Sequence, residues 1–202
     1  RTLFIKTADT PNENALKFLP STAILPENRT IEFLLAREAH HSPLAVRLFT
    51  IDGVKSIMFG SDFITVEKNP EDAWMDVKPE VFSLMTEFLS NGQPIMNEGH
   101  DSESLSPDID INDSDSDLVA MIKELIFTRI KPALQDDGGD IEYVDFINSE
   151  EHEEGIILLK LKGACRSCES SSETLKNGIE TMLKHYIEEV KDVLQVSDDF
   201  QK

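Results

Sequence analysis

The stretch GIILLKLKGACRSCESSSETLKNGIETMLKHYI, residues 155–187, decides the fold of the C-terminal half of this chain. It opens with an apolar run, Gly155 to Leu161, whose length and composition are typical of a buried strand. After the cysteines, apolar side chains recur at helical spacing: Leu175, Ile179, Met182, Leu183, Tyr186 and Ile187. The pair Cys165-x-x-Cys168 is therefore predicted to lie on a turn between a strand and a helix.

The segments next to this stretch predict the rest of a small sheet. Ser170 and Glu173 match a capping box, which predicts the start of the helix after the cysteines. Asp136–Asp140 is predicted to be a turn, because its paired glycines permit the positive φ that tight reversals need. Two more strands are expected, at Ile141–Ile147 and Val193–Val196, so that the sheet has three strands.

A second helix is predicted before the turn. Ser116 or Asp117 can cap it, and Pro132 is expected to end or kink it. One face of this helix is apolar and consists of Leu118, Ile122, Leu125, Ile126 and Ile130. The C-terminal half is thus expected to be a three-stranded sheet packed with two helices.

The N-terminal half alternates strand and helix patterns. Leu3–Thr7 predicts a short strand, and Thr10-Pro11-Asn12 predicts a turn after it. Ser42-Pro43 is typical of a helix start, and three apolar residues share a face of the helix that follows: Leu44, Leu48 and Phe49. These patterns predict a small mixed α/β domain.

Two further patterns belong to the same domain. The apolar runs Val54–Phe59 and Phe63–Lys68 flank Gly60-Ser61-Asp62, which predicts a hairpin with a glycine-containing loop. After Pro79, residues recur at helical spacing, and Asn91-Gly92 supplies a stop signal. The apolar face of this last helix consists of Val81, Leu84, Met85, Phe88 and Leu89.

A block of acidic residues separates the two halves. Asp101–Asp117, DSESLSPDIDINDSDSD, holds 7 acidic residues and no basic one. Such a segment buries too little apolar surface to offset its ordering entropy, and its charges repel one another. We therefore expect an α+β protein with two small mixed α/β domains, 1–98 and 118–202, joined by a flexible acidic linker, 99–117. An acidic docking segment is the alternative interpretation of the linker.

The overall charge limits the classes of partner. With 19 basic and 39 acidic residues among 202, the chain has a net charge of −20. A nucleic-acid backbone or an anionic membrane surface is therefore an unfavourable partner. The longest uninterrupted apolar run, Leu118–Ile122, is far shorter than the roughly 20 residues that span a bilayer. We expect a soluble protein with no nucleic-acid or membrane partner.

The position of Cys165 and Cys168 favours thiolate chemistry. A helix N-terminus carries partial positive charge and unpaired N–H groups, which stabilise thiolates and lower their pKa. Arg166, Lys160 and Lys162 add cations to an otherwise acidic chain. The two thiols are therefore suited either to binding a metal or to attacking a disulfide.

Two of the possible chemistries fit the chain poorly. Dithiol exchange uses the same strand–C-x-x-C–helix arrangement, but thioredoxin-like folds place the motif early and need a later cis-proline. Here no proline follows Pro132. Structural zinc needs four Cys or His ligands. The only histidines of the C-terminal half, His152 and His185, lie in a glutamate-rich loop and far along a helix. A C-x-x-C without any bound partner is the remaining neutral interpretation.

An iron–sulfur cluster is the third chemistry. Such clusters normally take four cysteine thiolates, and this chain supplies two. A four-thiolate site therefore requires two chains, each providing Cys165 and Cys168. A cluster held between separate molecules would be labile, and lability suits a carrier. An electron-transfer protein would gain more from a closed site within one chain.

The chain resembles a known family over nearly its whole length. TRIKPALQDDGGDIEYV, LKLKGACRSCESSSETLKNGIETML and HYIEEV are similar to the NifU C-terminal (Nfu) domain of iron–sulfur scaffold and carrier proteins. FIKTADTPNENALKFLP, SPLAVRLFTIDGVKSIMFGSDFITVEK and KPEVFSLMTEFLSNGQPI resemble the Nfu N-terminal domain of eukaryotic mitochondrial members. The resemblance therefore extends well beyond the cysteine motif.

The resemblance implies a function and a location. It implies a mitochondrial matrix protein that binds a 4Fe–4S cluster between protomers, as a homodimer or higher oligomer. It implies partners that supply the cluster and apoproteins that receive it, such as lipoyl synthase and respiratory-chain subunits. The chain begins at Arg1 without Met, so we expect that a targeting segment has been removed or that the start was trimmed.

The resemblance also assigns residues. Cys165 and Cys168 are the implied cluster ligands, and Gly163 is the small residue before the motif. Asp137-Gly138-Gly139-Asp140 is the implied structural turn of the family. Glu169 departs from the family pattern, which often has proline after the second cysteine. An anion at this position is expected to weaken cluster retention slightly or to tune the choice of partner.

The remaining candidate residues have ordinary interpretations. His40-His41 lacks the i, i+4 geometry of a helical metal site, so a plain loop pair is expected. Trp74, the only tryptophan, is expected to be half-buried by packing instead of forming an interface. The chain has no Ser/His/Asp set, P-loop or dinucleotide glycine pattern, so we expect a protein that is not an enzyme.

Overall fold

A computed structural model describes residues 3–97, 115–149, 154–166 and 169–196. The chain divides into two compact units, Arg1–Ser106 and Pro107–Lys202. Each unit has its own sheet and helices, which confirms the α+β fold class. The expected linker, 99–117, lies outside the described residues as far as residue 114. Across the described ranges, no helix is long and apolar enough to cross a membrane.

The first unit is a five-stranded antiparallel sheet in the order β1-β2-β5-β4-β3, with helices packed on one face. Its elements are β1 (Ile5–Asp9), β2 (Ala15–Pro20), β3 (Ile31–Phe33), a 3-10 helix (Ala36–His41), α1 (Pro43–Leu48), β4 (Val54–Phe59), β5 (Ile64–Lys68) and α2 (Trp74–Ser90).

Two local predictions for this unit are confirmed. Strands β4 and β5 pair antiparallel, and Gly60 N donates a 2.8 Å hydrogen bond to Phe63 O across the hairpin loop. Helix α1 begins at Pro43, and the Ser42 hydroxyl accepts a hydrogen bond from Ala45 N at 3.1 Å. Both signals succeed because they involve residues close together in the sequence.

Other predictions for this unit need correction. The first strand is Ile5–Asp9 instead of Leu3–Thr7, and strands β2 and β3 were not predicted. Strand β2 has β1 and β5 on its two edges and is buried at nearly every position, so its burial shows no regular alternation. Helix α2 starts at Trp74, before Pro79. One proline near the helix start removes only one backbone hydrogen bond, and Val77 and Val81 anchor this turn in the core.

The second unit is a three-stranded sheet in the order β6-β7-β8 packed with helices, as expected. Strands β6 and β7 are antiparallel, whereas β8 runs parallel to β7. Its elements are α3 (Asp117–Leu125), a π-helical turn (Ile126–Ile130), α4 (Lys131–Asp136), β6 (Gly139–Ser149), β7 (Glu154–Gly163), α5 (Glu169–Tyr186) and β8 (Asp192–Gln195).

The helical path before β6 differs from the prediction. Ser116 caps α3 as predicted. The chain remains helical past Pro132, however, and the helical segment ends at Asp136. Because Pro132 has no N–H, a regular α-helix would lack one hydrogen bond there, and the wider π-helical turn lies just before it. The buried side chains of this path are Ile122, Ile126, Ile130 and Leu134.

Helix α5 also differs in detail. It begins at Glu169, so Ser170 lies inside the helix and is not its N-cap. Ile179, Leu183 and Ile187 are buried as predicted. Met182 and Tyr186, which the spacing assigned to the same face, are 37% and 58% exposed. The buried face of this helix is therefore narrower than the spacing predicts.

Ser42 is the first residue whose role can be tested. Its fully buried hydroxyl accepts from Ala45 N and donates to Ile95 O at 2.6 Å. We expect Ser42→Ala to lower the unfolding free energy of the first unit by about 1–2 kcal/mol, because both bonds are lost in a buried place. Trp74 fluorescence in a urea titration reports on this unit. Thr86→Ala, which removes an exposed hydroxyl from α2, should change the midpoint little.

Tyr143 on β6 gives the second unit a predicted alkaline pH dependence. Burial, together with the nearby carboxylates of Asp145 and Asp115, raises the pKa of Tyr143 to about 12. A phenol whose pKa is higher in the folded state favours folding below its unfolded pKa of about 10. This contribution is expected to disappear as the pH rises from about 10 towards 12.

The measurement is a spectrophotometric tyrosinate titration of Tyr186→Phe, which retains Tyr143 as its only tyrosine. We expect the folded protein to titrate well above the ordinary tyrosine range. Tyr143→Phe should weaken the fall in stability at alkaline pH. Titration of Tyr143 near pH 10 in folded protein would contradict the assignment.

Candidate functional site

Cys165 lies where the sequence predicts it, on the turn between β7 and α5. Gly163 ends β7 with φ of 62°, a left-handed conformation that favours glycine. Arg166 N then donates to Gly163 O at 3.1 Å and closes the turn. Cys168, the second predicted ligand, lies outside the described residues. The structure therefore describes one of the two candidate thiols.

The side chain of Cys165 faces the interior of the unit. It is 5% exposed and belongs to the same apolar cluster as Ile141, Leu161 and Ile179. Its position between β7 and α5 makes it part of the packed core. A buried thiol reacts with solutes only when its surroundings open locally.

A glycine on the neighbouring strand makes room for this thiol. Gly139 pairs with Gly163 at the start of β6, and Ala164 N donates to Gly138 O at 3.2 Å. A Cβ atom added at Gly139 would lie 2.3 Å from Cys165 Sγ and 2.8 Å from Lys162 O. Only glycine therefore fits at position 139 while Cys165 keeps its place.

This contact corrects the expected role of the paired glycines. Gly138 has the positive φ of 79° that the predicted turn requires. Gly139, in contrast, is the first residue of β6 and has no positive φ. Gly139 is therefore not required for the turn. It is required because a side chain at this position would collide with Cys165. A turn between a helix and a strand needs only one glycine with positive φ. The second of two adjacent glycines is therefore the sequence signal that could have predicted the close contact with Cys165.

Of the three cations predicted near the cysteines, the fold places only Arg166 on the cysteine turn. Lys160 and Lys162 alternate along β7 with the core residues Leu159 and Leu161, so they lie on the other face of the sheet from Cys165. Lys162 Nζ lies 2.6 Å from Glu142 Oε2, which offsets its charge. Arg166 is the predicted cation that stays on the cysteine turn itself.

Of the candidate residues in the first unit, Trp74 is half-buried as predicted, whereas His40 and His41 lie in a 3-10 helix and not in the expected loop. Trp74 is half-buried, and its Nε1 donates to Glu13 O at 2.9 Å. His40 and His41 end the 3-10 helix, and their ring centroids lie 3.5 Å apart. In the described ranges, no three His, Cys, Asp or Glu side chains cluster in a way that could hold a metal ion.

Comparison with known proteins gives the context of this site. A family model described as "Scaffold protein Nfu/NifU N terminal" matches residues 5–92, and one described as "NifU-like domain" matches residues 122–194. The two matches follow the order of the two units. The two family matches thus assign the chain to the class of Nfu/NifU scaffold proteins, with a NifU-like domain in the second unit.

Relatives cover nearly the whole chain. A NifU-like protein of Schizosaccharomyces pombe is 53% identical over 98% of this chain and 74% of its own length. The "NFU1 iron-sulfur cluster scaffold homolog, mitochondrial" of Drosophila persimilis is 46% identical over 98% of this chain and 67% of its own length. The chain therefore belongs to the Nfu family of NifU-like scaffold proteins.

One solved structure is similar to part of the chain. The solution structure of a NifU-like protein from Saccharomyces cerevisiae is 37% identical, with a TM-score of 0.43. The match covers 48% of this chain and 87% of that one.

The contact between Gly139 and Cys165 can be tested in the protein without any metal. We expect Gly139→Ala to lower the unfolding free energy of the second unit by about 1–3 kcal/mol, because the added methyl group overpacks the thiol. Chemical denaturation followed by far-ultraviolet circular dichroism measures the change. Gly178→Ala is the matched control, since a Cβ there meets nothing within 4 Å. It should instead stabilise α5 by about 0.5–1 kcal/mol.

Proposed function

We propose that the chain binds a 4Fe–4S cluster between two copies of itself and delivers it to apoproteins. Cys165 and Cys168 of each copy would be the ligands. The observation that carries the proposal is that the only two cysteines of the chain have C-x-x-C spacing in the sequence and that the first of them, Cys165, lies on a turn supported by Gly163. Membership of a scaffold family supports the same assignment.

The ligand count argues for two chains. A 4Fe–4S cluster takes four cysteine thiolates, and each chain contributes two. The cluster is therefore cargo held at an interface, and separating the two copies breaks half of its iron–thiolate bonds. This arrangement favours transfer over permanent storage. Homodimers and higher oligomers built from such pairs both satisfy the count.

Partners and location follow from the same proposal. The cargo must come from proteins that assemble clusters and must go to apoproteins that lack them, such as lipoyl synthase and respiratory-chain subunits. We propose the mitochondrial matrix as the location, because fly relatives carry the word mitochondrial in their names. We also propose that the chain acts as a carrier and not as an enzyme.

Anaerobic reconstitution tests the proposal. With iron and sulfide, we expect broad visible absorbance and about two chains per cluster, as four thiolate ligands require. Native mass spectrometry of the product reports metal content and chain count together. Cys165→Ser and Cys168→Ser should each abolish stable binding. Met121→Ser, which removes a sulfur atom from an exposed side chain of the same unit, should bind like the parent.

Several outcomes would contradict the proposal. Unchanged absorbance in either serine variant would refute the ligand assignment. Zinc without iron in native material would instead indicate a zinc-bridged adaptor. Reduction of insulin disulfides by the metal-depleted protein would indicate a thiol–disulfide oxidoreductase.

A further inference from the structure

A buried ion pair lies next to the cysteine turn. Lys131 Nζ is 3.1 Å from Asp140 Oδ2, and the two side chains are only 3% and 1% exposed. Most charged side chains avoid such burial, because transfer of both ions from water costs several kcal/mol each. None of the predicted roles of the cysteine motif accounts for this pair.

The pair connects the two elements that frame the glycine turn. Lys131 is the first residue of α4, directly after the π-helical turn, and Asp140 is the second residue of β6. The hydrogen bond between them therefore closes a short loop that contains all of α4 and the turn at Gly138. Its geometry sets where β6 begins relative to α4.

The start of β6 is also the support of Cys165. Asp140 follows Gly139, whose Cα faces Cys165 Sγ so closely that an added Cβ would lie 2.3 Å away. Asp140 also pairs with Lys162, and Gly139 with Gly163, on the strand that leads into the cysteine turn. A shift of a few tenths of an ångström at Asp140 would therefore change the space available to the thiol.

Stability alone does not explain why both residues are charged. A buried ion pair is often replaced by apolar side chains of similar volume with little loss of stability. An ion pair differs from an apolar pair in that its hydrogen bond has a preferred direction and distance. Such a pair fixes geometry that apolar contacts leave adjustable.

We propose that Lys131 and Asp140 are positioning residues for Cys165. Their hydrogen bond holds the start of β6 where Gly139 accommodates the thiol. The bearing on cluster retention rests on the proposed function, whereas the positioning of the thiol can be measured without any cluster.

The first measurement is the alkylation rate of Cys165 by iodoacetamide in the metal-depleted full chain. All proteins carry Cys168→Ser, so that Cys165 is the only thiol. The variants are Asp140→Asn, Lys131→Met, the apolar pair Lys131→Met with Asp140→Leu, and Lys131→Arg. Far-ultraviolet circular dichroism establishes which variants are folded at the temperature of the assay.

We expect folded variants that lack the ion pair to alkylate at least about tenfold faster, because local opening costs about 1.4 kcal/mol less. The apolar pair should show this acceleration even where its unfolding midpoint matches the parent. Lys131→Arg keeps the charge and should react at the parental rate. Lys123→Met is the matched control, since it removes the Lys123–Asp115 pair, at 2.7 Å and 11% and 14% exposure, from the same unit.

A parental alkylation rate in any folded variant without the pair overturns the proposal, because the pair would then contribute only to folding. Acceleration in Lys123→Met equal to that in Lys131→Met overturns it as well, since the effect would not be specific to the cysteine support.

The second measurement separates this inference from the proposed function. With Cys168 restored, we expect the apolar pair to lose a reconstituted cluster to a chelator about tenfold faster or more, the usual effect of removing support behind a metal ligand. If the parent binds no cluster while the alkylation differences hold, the proposed function fails and the positioning role stands. If the parent binds a cluster but alkylation is unchanged, the positioning role fails alone.

Discussion

The close approach of Gly139 to Cys165 is the constraint on which the second unit depends. It joins the first residue of β6 to the turn after β7, and it is possible only because position 139 has no side chain. The same contact keeps the thiol inside the core, where α5 packs over it. Interiors are packed too densely for such a contact to relax at no cost. Sheet register, helix placement and thiol position are therefore set together.

Burial limits the reactivity of the Cys165 thiol. A cysteine at 5% exposure is shielded from solutes. Its turn directly follows Gly163, the last residue of β7, and a reaction of the thiol with solutes there requires local opening. Under the proposed function, a buried thiol that belongs to an incomplete ligand set suits transient binding of a cluster. In this view the incomplete ligand set of one chain is part of the function.

The success of sequence reasoning varied with the range of the interactions involved. The caps and turns at Ser42, Ser116 and Gly138 were predicted correctly, because each depends on a few consecutive residues. Strand β2 was missed because it is buried at nearly every position, and β3 because three residues are too few to show a periodic pattern. The exposure of Tyr186 was also missed, because periodicity gives the direction of a side chain but not what packs against it.

By itself, the sequence determined the α+β class, the order of strand, turn and helix around Cys165 and a count of two thiols per chain. These features are encoded locally, in composition, spacing and turn chemistry. Only the tertiary structure decided that Cys165 faces the core, that Gly139 rather than Gly138 makes room for it, and that Lys131 and Asp140 meet beside it. Each of these depends on the register between β6 and β7, which is selected by the packing of the whole unit.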